Sequence, residues 1–151
     1  MPNPLVAGSP EPAIALDIIK QFGGEIPFLK ALSTTVDFLD RGRCGLSLPW
    51  GENLVGDAST GTVHGGVITT LLDSASGMAV FSVVPRLMQI ATLDLRIDYL
   101  RPGAPHIDIK AEADCYRISK NVAFVRGRAF QDGDREIASS LATFMLDSSS
   151  L

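Results

Sequence analysis

Apolar positions along this chain follow two different periods. From Ala13 to Phe22 the run AIALDIIKQF spaces them at helical intervals, and Gly23-Gly24 closes it. The stretch Ile26–Leu32 predicts a further short helical turn. Then TTVDFLDRGRCGLSLPW alternates, with Val36 and Phe38 on one side and Asp37 and Asp40 on the other. Arg41-Gly42 reads as a hairpin turn into a second strand over Arg43–Leu48, and GENLVGDASTG, Gly51–Gly61, reads as loop. His64 opens the longest helical segment, HGGVITTLLDSASGMAVFSVV, which runs to about Val84 before Pro85 stops it. At 1.5 Å per residue it spans about 30 Å. It is apolar nearly all round, interrupted by Thr69, Thr70, Ser74, Ser76 and one Asp, so it belongs inside something.

Four strand-like runs follow, at Gln89–Tyr99, His106–Tyr116, Val122–Gln131 and Arg135–Leu146. In the first, Leu93, Leu95, Ile97 and Tyr99 alternate with Asp94, Arg96 and Asp98. The turns at Arg101-Pro102-Gly103, Ser119-Lys120-Asn121 and Asp132-Gly133-Asp134 are short, which predicts antiparallel pairing. The expected class is α+β: a curved antiparallel sheet of five to six strands wrapped around one long central helix.

Composition narrows the picture further. The 151 residues predict one domain, over 13–147, after a loose arm at 1–12 that holds four of the nine prolines. Mean hydropathy is +0.22, which points to a large core or a buried subunit interface. Thirteen basic against seventeen acidic residues give −4, which argues against nucleic acid as a partner. No apolar run approaches the roughly 18 residues of a membrane span. MPNPLVAGSPEP has no signal-peptide pattern, so a cytoplasmic protein without a membrane partner is expected. Cys44 and Cys115 are too few for a disulfide framework and too far apart for a CxxC site. With two histidines, a Cys/His zinc site is excluded, and no metal or other cofactor is expected.

Candidate chemistry starts at Gly61-Thr62-Val63-His64-Gly65-Gly66. Two glycines are poor helix formers, and they make sense at a helix start if something approaches the backbone closely. The first helical turn offers unpaired N–H groups and a partial positive charge, suited to polarising a carbonyl oxygen. Asp73 sits mid-helix between Leu71-Leu72 and Ala75. A carboxylate there is costly unless it is paired or functional, as nucleophile or as general base for water. Gly65 and Asp73 lie eight residues apart, roughly 12 Å along the axis, so one carbonyl cannot touch both within one helix. If both act on one carbon, they come from two antiparallel copies of the helix in a homodimer with composite sites. His64 reads either as a base or as a structural residue whose ring holds the loop. Thr92 reads as a partner for Asp73 or a water, or as an ordinary β-branched strand residue. Arg101 and the turn Ser119-Lys120-Asn121 carry donors that suit phosphates, and they read equally as solvated turns. The two cysteines fall in strand patterns, which suits packing better than reactivity.

GTVHGGVITTLLDSASGMAV followed by ATLDLRIDYLRPG resembles the hotdog-fold thioesterases of the PaaI-like, phenylacetate-pathway group. The HGG helix start, the Asp eight residues after the first glycine and the strand ending in YLRP match in spacing, and the resemblance covers roughly residues 34–146. It implies the hotdog fold, hydrolysis of an acyl-CoA substrate, and homodimers that often pair into tetramers. Carried over by motif, the Gly65 amide polarises the thioester carbonyl, with Gly66 beside it. Asp73 of the partner subunit is nucleophile or general base, and Thr92 helps to place Asp73 or water. Ser119, Lys120 and Asn121 hold the CoA nucleotide, joined by Arg101. One departure stands out: where many members carry Asn, six residues before the motif His, this chain has Ala58, with Asn53 and Asp57 out of register. A non-catalytic acyl-CoA binding or sensing module is therefore the alternative. A hotdog hydratase is a third reading, disfavoured because His64 and Asp73 are wrongly spaced for one site within a subunit.

Overall fold

The computed structural model describes residues 26–84 and 88–147. The expected arm at 1–12, the helix over Ala13–Phe22 and the stop at Pro85 lie outside those residues. Helix α1 (Pro27–Ala31) begins on proline, whose missing N–H would have had no helical partner. Strands β1 (Thr35–Asp40) and β2 (Arg43–Leu48) follow. They join across Arg41-Gly42, where Gly42 takes φ +80°, a conformation that costs a residue with a Cβ. Gly51–Gly61 is not all loop. A 3-10 turn at Glu52–Leu54 leads into a two-stranded ribbon of β3 (Val55–Asp57) and β4 (Thr62–Val63). Strands of three and two residues are too short to show alternation, so the sequence gives no sign of them.

The central helix α2 (Gly65–Phe81) has 17 residues, about 25 Å. It stops before the predicted end at Val84. The Ser82 hydroxyl donates to the Ala79 carbonyl at 2.7 Å and accepts the Gly42 N–H at 2.7 Å, tying the helix end to the β1–β2 turn. Then come β5 (Gln89–Tyr99), β6 (Ile109–Ile118), β7 (Val122–Gln131) and β8 (Arg135–Asp147). The β6 strand starts three residues later than predicted. His106 takes φ +60° there, with its ring centroid 4.2 Å from that of Trp50. Asp132 and Gly133 both take positive φ in the three-residue turn Asp132–Asp134 that joins the paired Gln131 of β7 and Arg135 of β8.

The six long strands form one sheet in the order β1-β2-β6-β7-β8-β5, every neighbouring pair antiparallel. Helix α2 lies across one face, chiefly against β6, β2 and β7. Leu71, Leu72, Ala75, Ala79 and Val80 have no exposed surface. This is the predicted α+β wrap of a sheet around a helix. The helix is not buried all round, however: Thr70, Asp73, Gly77 and Phe81 form a half-buried stripe. β5 is an edge strand, and most of its residues are exposed.

Candidate active site

The first turn of α2 settles most of its own backbone donors. The His64 N–H donates to the Leu54 carbonyl at 2.8 Å, and the Val67 N–H to the His64 carbonyl at 3.0 Å. The Gly66 N–H donates to His64 Nδ1 at 3.0 Å, so His64 caps the helix. An accepting Nδ1 puts the proton of the neutral ring on Nε2. Among the described residues the Gly65 N–H donates to none, which leaves one free donor at the positive end of the helix. Glycine at 66 leaves room for the capping ring, since a Cβ there would sit 3.0 Å from His64 Nδ1. Gly56 presses the β3 backbone onto His64, where a Cβ would come within 2.8 Å of the His64 Cα.

Tyr99, which alternation groups with Leu93, Leu95 and Ile97, closes over this turn. Its hydroxyl donates to the Gly65 carbonyl at 2.9 Å and lies 2.8 Å from the Thr69 Oγ1. A Cβ at position 65 would stand 3.3 Å from that hydroxyl. The one available sequence signal was its place at the end of an alternating run, in YLRP.

Two turns further along, Thr92 Oγ1 donates to Asp73 Oδ1 at 2.8 Å. The carboxylate is half-buried on a helix with no other charged side chain. Thr92 reaches it because the β5–β8 register shifts between Thr92 and Asp94. The resulting bulge puts Thr92 opposite the buried Phe144 and leaves Leu93 57% exposed. Simple alternation had placed Leu93 with the core residues. The bulge also lets Thr92 and Tyr99, seven residues apart, face the same helix.

The remaining candidates divide between the two ends of the sheet. The Asn121 carbonyl accepts the Leu146 N–H at 2.8 Å, and Leu146 pairs with Ile90, so the turn Ser119-Lys120-Asn121 lies at the Asp73–Thr92 end. The Ser119 hydroxyl donates to the Val122 carbonyl at 2.9 Å, while Lys120 and Asn121 are exposed. Arg101 follows Tyr99 at the other end, its N–H 3.3 Å from the Ile137 carbonyl and its side chain exposed. Seven residues of strand, about 23 Å, separate Thr92 from Tyr99. The structure therefore joins His64 to Gly66, Tyr99 to Gly65 and Thr92 to Asp73, and keeps Arg101 apart from the Ser119 turn within one chain. Ala58 is exposed, and so is Asn53. The Asp57 carboxylate accepts the Ser59 hydroxyl at 2.6 Å and the Ser59 N–H at 2.9 Å. Those bonds hold its carboxyl below the usual carboxylate range and commit it to the turn.

With this geometry in hand, comparison with known proteins is informative. The model of the family described as "Thioesterase superfamily" matches residues 60–138, which is 79 of the 151 residues. The chain is 29% identical over 140 residues to the medium/long-chain acyl-CoA thioesterase YigI of Salmonella typhimurium, covering 84% of this chain and 90% of that one. A crystal structure of a Pseudomonas aeruginosa protein superposes with a TM-score of 0.76 at 39% identity, over 87% of this chain and 98% of that one. A mutant phenylacetic acid degradation protein PaaI from Thermus thermophilus gives a TM-score of 0.71 at 26% identity, over 79% and 97%. The E. coli PaaI protein shares the fold at a TM-score of 0.82 with 17% identity, over 93% and 99%. Among the described residues no helix is long and apolar enough to cross a membrane. The helix start, the mid-helix carboxylate and the wrapped sheet thus occur together in a chain that belongs to the thioesterase superfamily, with the hotdog fold.

Proposed function

We propose that this chain hydrolyses acyl-CoA thioesters to the free acid and CoA in a single domain spanning 13–147. The observation that carries the reading is the Asp73 carboxylate, held at 2.8 Å by Thr92 on a helix with no other charged side chain. One hydroxyl fixes Oδ1 and leaves Oδ2 to act. As a general base, Asp73 takes a proton from water while the water oxygen bonds to the thioester carbon. As a nucleophile, Oδ2 bonds to that carbon and water later cleaves the anhydride. Either way the C–S bond breaks, the acyl group leaves as acid and the sulfur leaves as CoA thiol. The free Gly65 N–H suits the carbonyl oxygen, where negative charge grows in the transition state. The Ser119 turn and Arg101 carry donors for the CoA phosphates. The acyl-CoA substrate named for YigI, at 29% identity, supports this substrate class and points to medium or long chains.

Gly65 and Asp73 stand eight residues apart on one helix, roughly 12 Å. In this reading the carboxylate that serves one Gly65 comes from a second copy of the chain. The exposed edge strand β5, with Leu93, Tyr99 and Leu100 each more than half exposed, supports a homodimer. Two such dimers pairing would give a tetramer. The second reading, a binding or sensing module, is favoured by Ala58, which offers no polar group where an amide would help place the carbonyl or water.

The deciding experiment follows thiol release from a panel of straight-chain and aryl acyl-CoAs by wild type and Asp73→Asn. A fall of at least about 10²-fold in the variant, with thermal stability retained, is expected. Binding without hydrolysis by wild type on every member of the panel would select the sensing module.

A further inference from the structure

Glycine in the middle of a helix is a poor choice unless something needs the space. Gly77 lies one turn beyond Asp73 on the half-buried stripe of α2. Among the described residues nothing requires it to be glycine. A Cβ there would lie 3.7 Å from Phe144 Cε1 and 4.0 Å from Ile90 Cδ1, both ordinary contact distances. Gly45 shows the contrast: a Cβ there would stand 2.2 Å from the Phe38 ring. At Gly77 the missing side chain instead leaves a half-buried notch bordered by Phe144 and Ile90.

The surroundings say what kind of occupant the room suits. From Asp73 toward the N-terminus the stripe carries the hydroxyls of Thr69 and Thr70, which donate to the Gly65 and Gly66 carbonyls. Toward the C-terminus it carries Gly77 and then Phe81, with Ile90 and Phe144 alongside Gly77. An uncharged, unbranched chain starting at a carbon beside Asp73 finds apolar contact in only that second direction. Gly77 lies about 6 Å along the axis from Asp73, which an extended alkyl chain covers in roughly five C–C bonds.

We propose that Gly77 is the specificity-determining residue for acyl-chain length: chains of about six carbons and more reach it and run on toward Phe81, and shorter ones stop before it. The inference rests on the thioesterase reading above and adds the acyl path to it. A side chain at 77 would narrow the path, and the first added carbon meets Phe144 and Ile90 only at ordinary contact distance.

The test compares wild type, Gly77→Ala and Gly77→Leu on butyryl-, octanoyl- and dodecanoyl-CoA, with oligomeric state checked by sedimentation velocity. Gly77→Leu is expected to keep kcat/KM on butyryl-CoA within about threefold and to lose about 10- to 200-fold on dodecanoyl-CoA, with Gly77→Ala in between. An equal loss at every chain length overturns the proposal. So does a change in sedimentation, which would make the space a seat for a partner helix. The same chain lengths are also presented as S-alkyl-CoA thioethers, which bind and cannot be hydrolysed. If wild type hydrolyses nothing but Gly77→Leu still weakens the long thioethers selectively, the acyl path stands and the hydrolytic reading falls.

Discussion

Helix α2 has two sides that meet different surroundings. On the side packed against β2, β6 and β7, Leu71, Ala75 and Ala79 have no exposed surface, and Cys44 Sγ lies 3.8 Å from Met78 Sδ. On the side toward β5, Thr70, Asp73, Gly77 and Phe81 are half-buried, and the hydroxyls of Thr92 and Tyr99 bond to the helix at Asp73, Gly65 and Thr69. The difference follows from strand order. β5 is the last strand of the sheet, so among the described residues the helix has close neighbours on one flank and a more open margin on the other. Close packing supplies stability on the first side, and its loss is felt by every atom removed. The second side leaves polar groups free to meet a ligand or a second subunit. In the proposed reading, one helix thus separates holding the fold together from doing chemistry.

The largest test of that division asks whether the open margin is completed by another chain. Gly65→Pro should delete the free N–H, with the Tyr99 side chain giving by a few tenths of an ångström to the added Cβ. Proline is favoured at this first helical position, and His64 already has φ −60° and ψ 135°, which a following proline tolerates. Removing a donor of this kind should lower kcat by about 10²–10³-fold. Mixed and refolded with Asp73→Asn, two nearly inactive proteins should recover about a quarter of wild-type activity, because half the dimers carry one intact site of two. A mixture as inactive as its parts would place both groups in one chain and break the comparison.

A smaller effect separates the two hydroxyls of β5. Thr92→Val removes a bond to a charged carboxylate, worth about 1.5–3 kcal/mol, and should cost roughly 10- to 100-fold in kcat. Tyr99→Phe removes a bond to a neutral carbonyl, worth about 0.5–1.5 kcal/mol, and should cost only a few-fold. Thr92→Ser should restore most of the first loss. A Tyr99→Phe loss as large as that of Thr92→Val would mean that the helix start, not the carboxylate, is the more sensitive end.

Why these residues were unequally visible in the sequence follows from the same geometry. The long strands and α2 declare themselves by period, and Asp73 stands out because a lone carboxylate interrupts an apolar helix. Thr92 and Gly65 could be named from their place beside those features. Tyr99 could not, because strict alternation grouped it with Leu93, Leu95 and Ile97. Only the bulge at Leu93 brings both Thr92 and Tyr99 to the helix, and a one-residue bulge leaves no mark in the pattern. Arg101 and the Ser119 turn looked equivalent as donors in short turns. Their separation depends on β5 pairing with β8 and lying outside β7, a long-range choice that local spacing does not encode. The β3–β4 ribbon escaped notice for lack of length.

The closed side offers the last and smallest test. Burial, with the Asp37 charge adding to it, pushes the Cys44 thiol from 9.0 up to about 12, and burial pushes Cys115 from 9.0 up to about 11. As pH rises past 9, the unfolded chain releases these thiol protons while the folded chain keeps them. The unfolded state then binds fewer protons, so stability falls with pH through that window and is unaffected below it. The urea midpoint of wild type should therefore drop more steeply between pH 9 and pH 11 than that of a Cys44→Ala, Cys115→Ala double variant, with parallel behaviour at pH 7–8. At pH 8 neither thiol should react with a disulfide reagent at a rate above that of global unfolding. Fast labelling of Cys44 in the folded protein would show that the flank of α2 against β2 opens as readily as the flank toward β5. Stability and chemistry would then no longer be assigned to different sides of the helix.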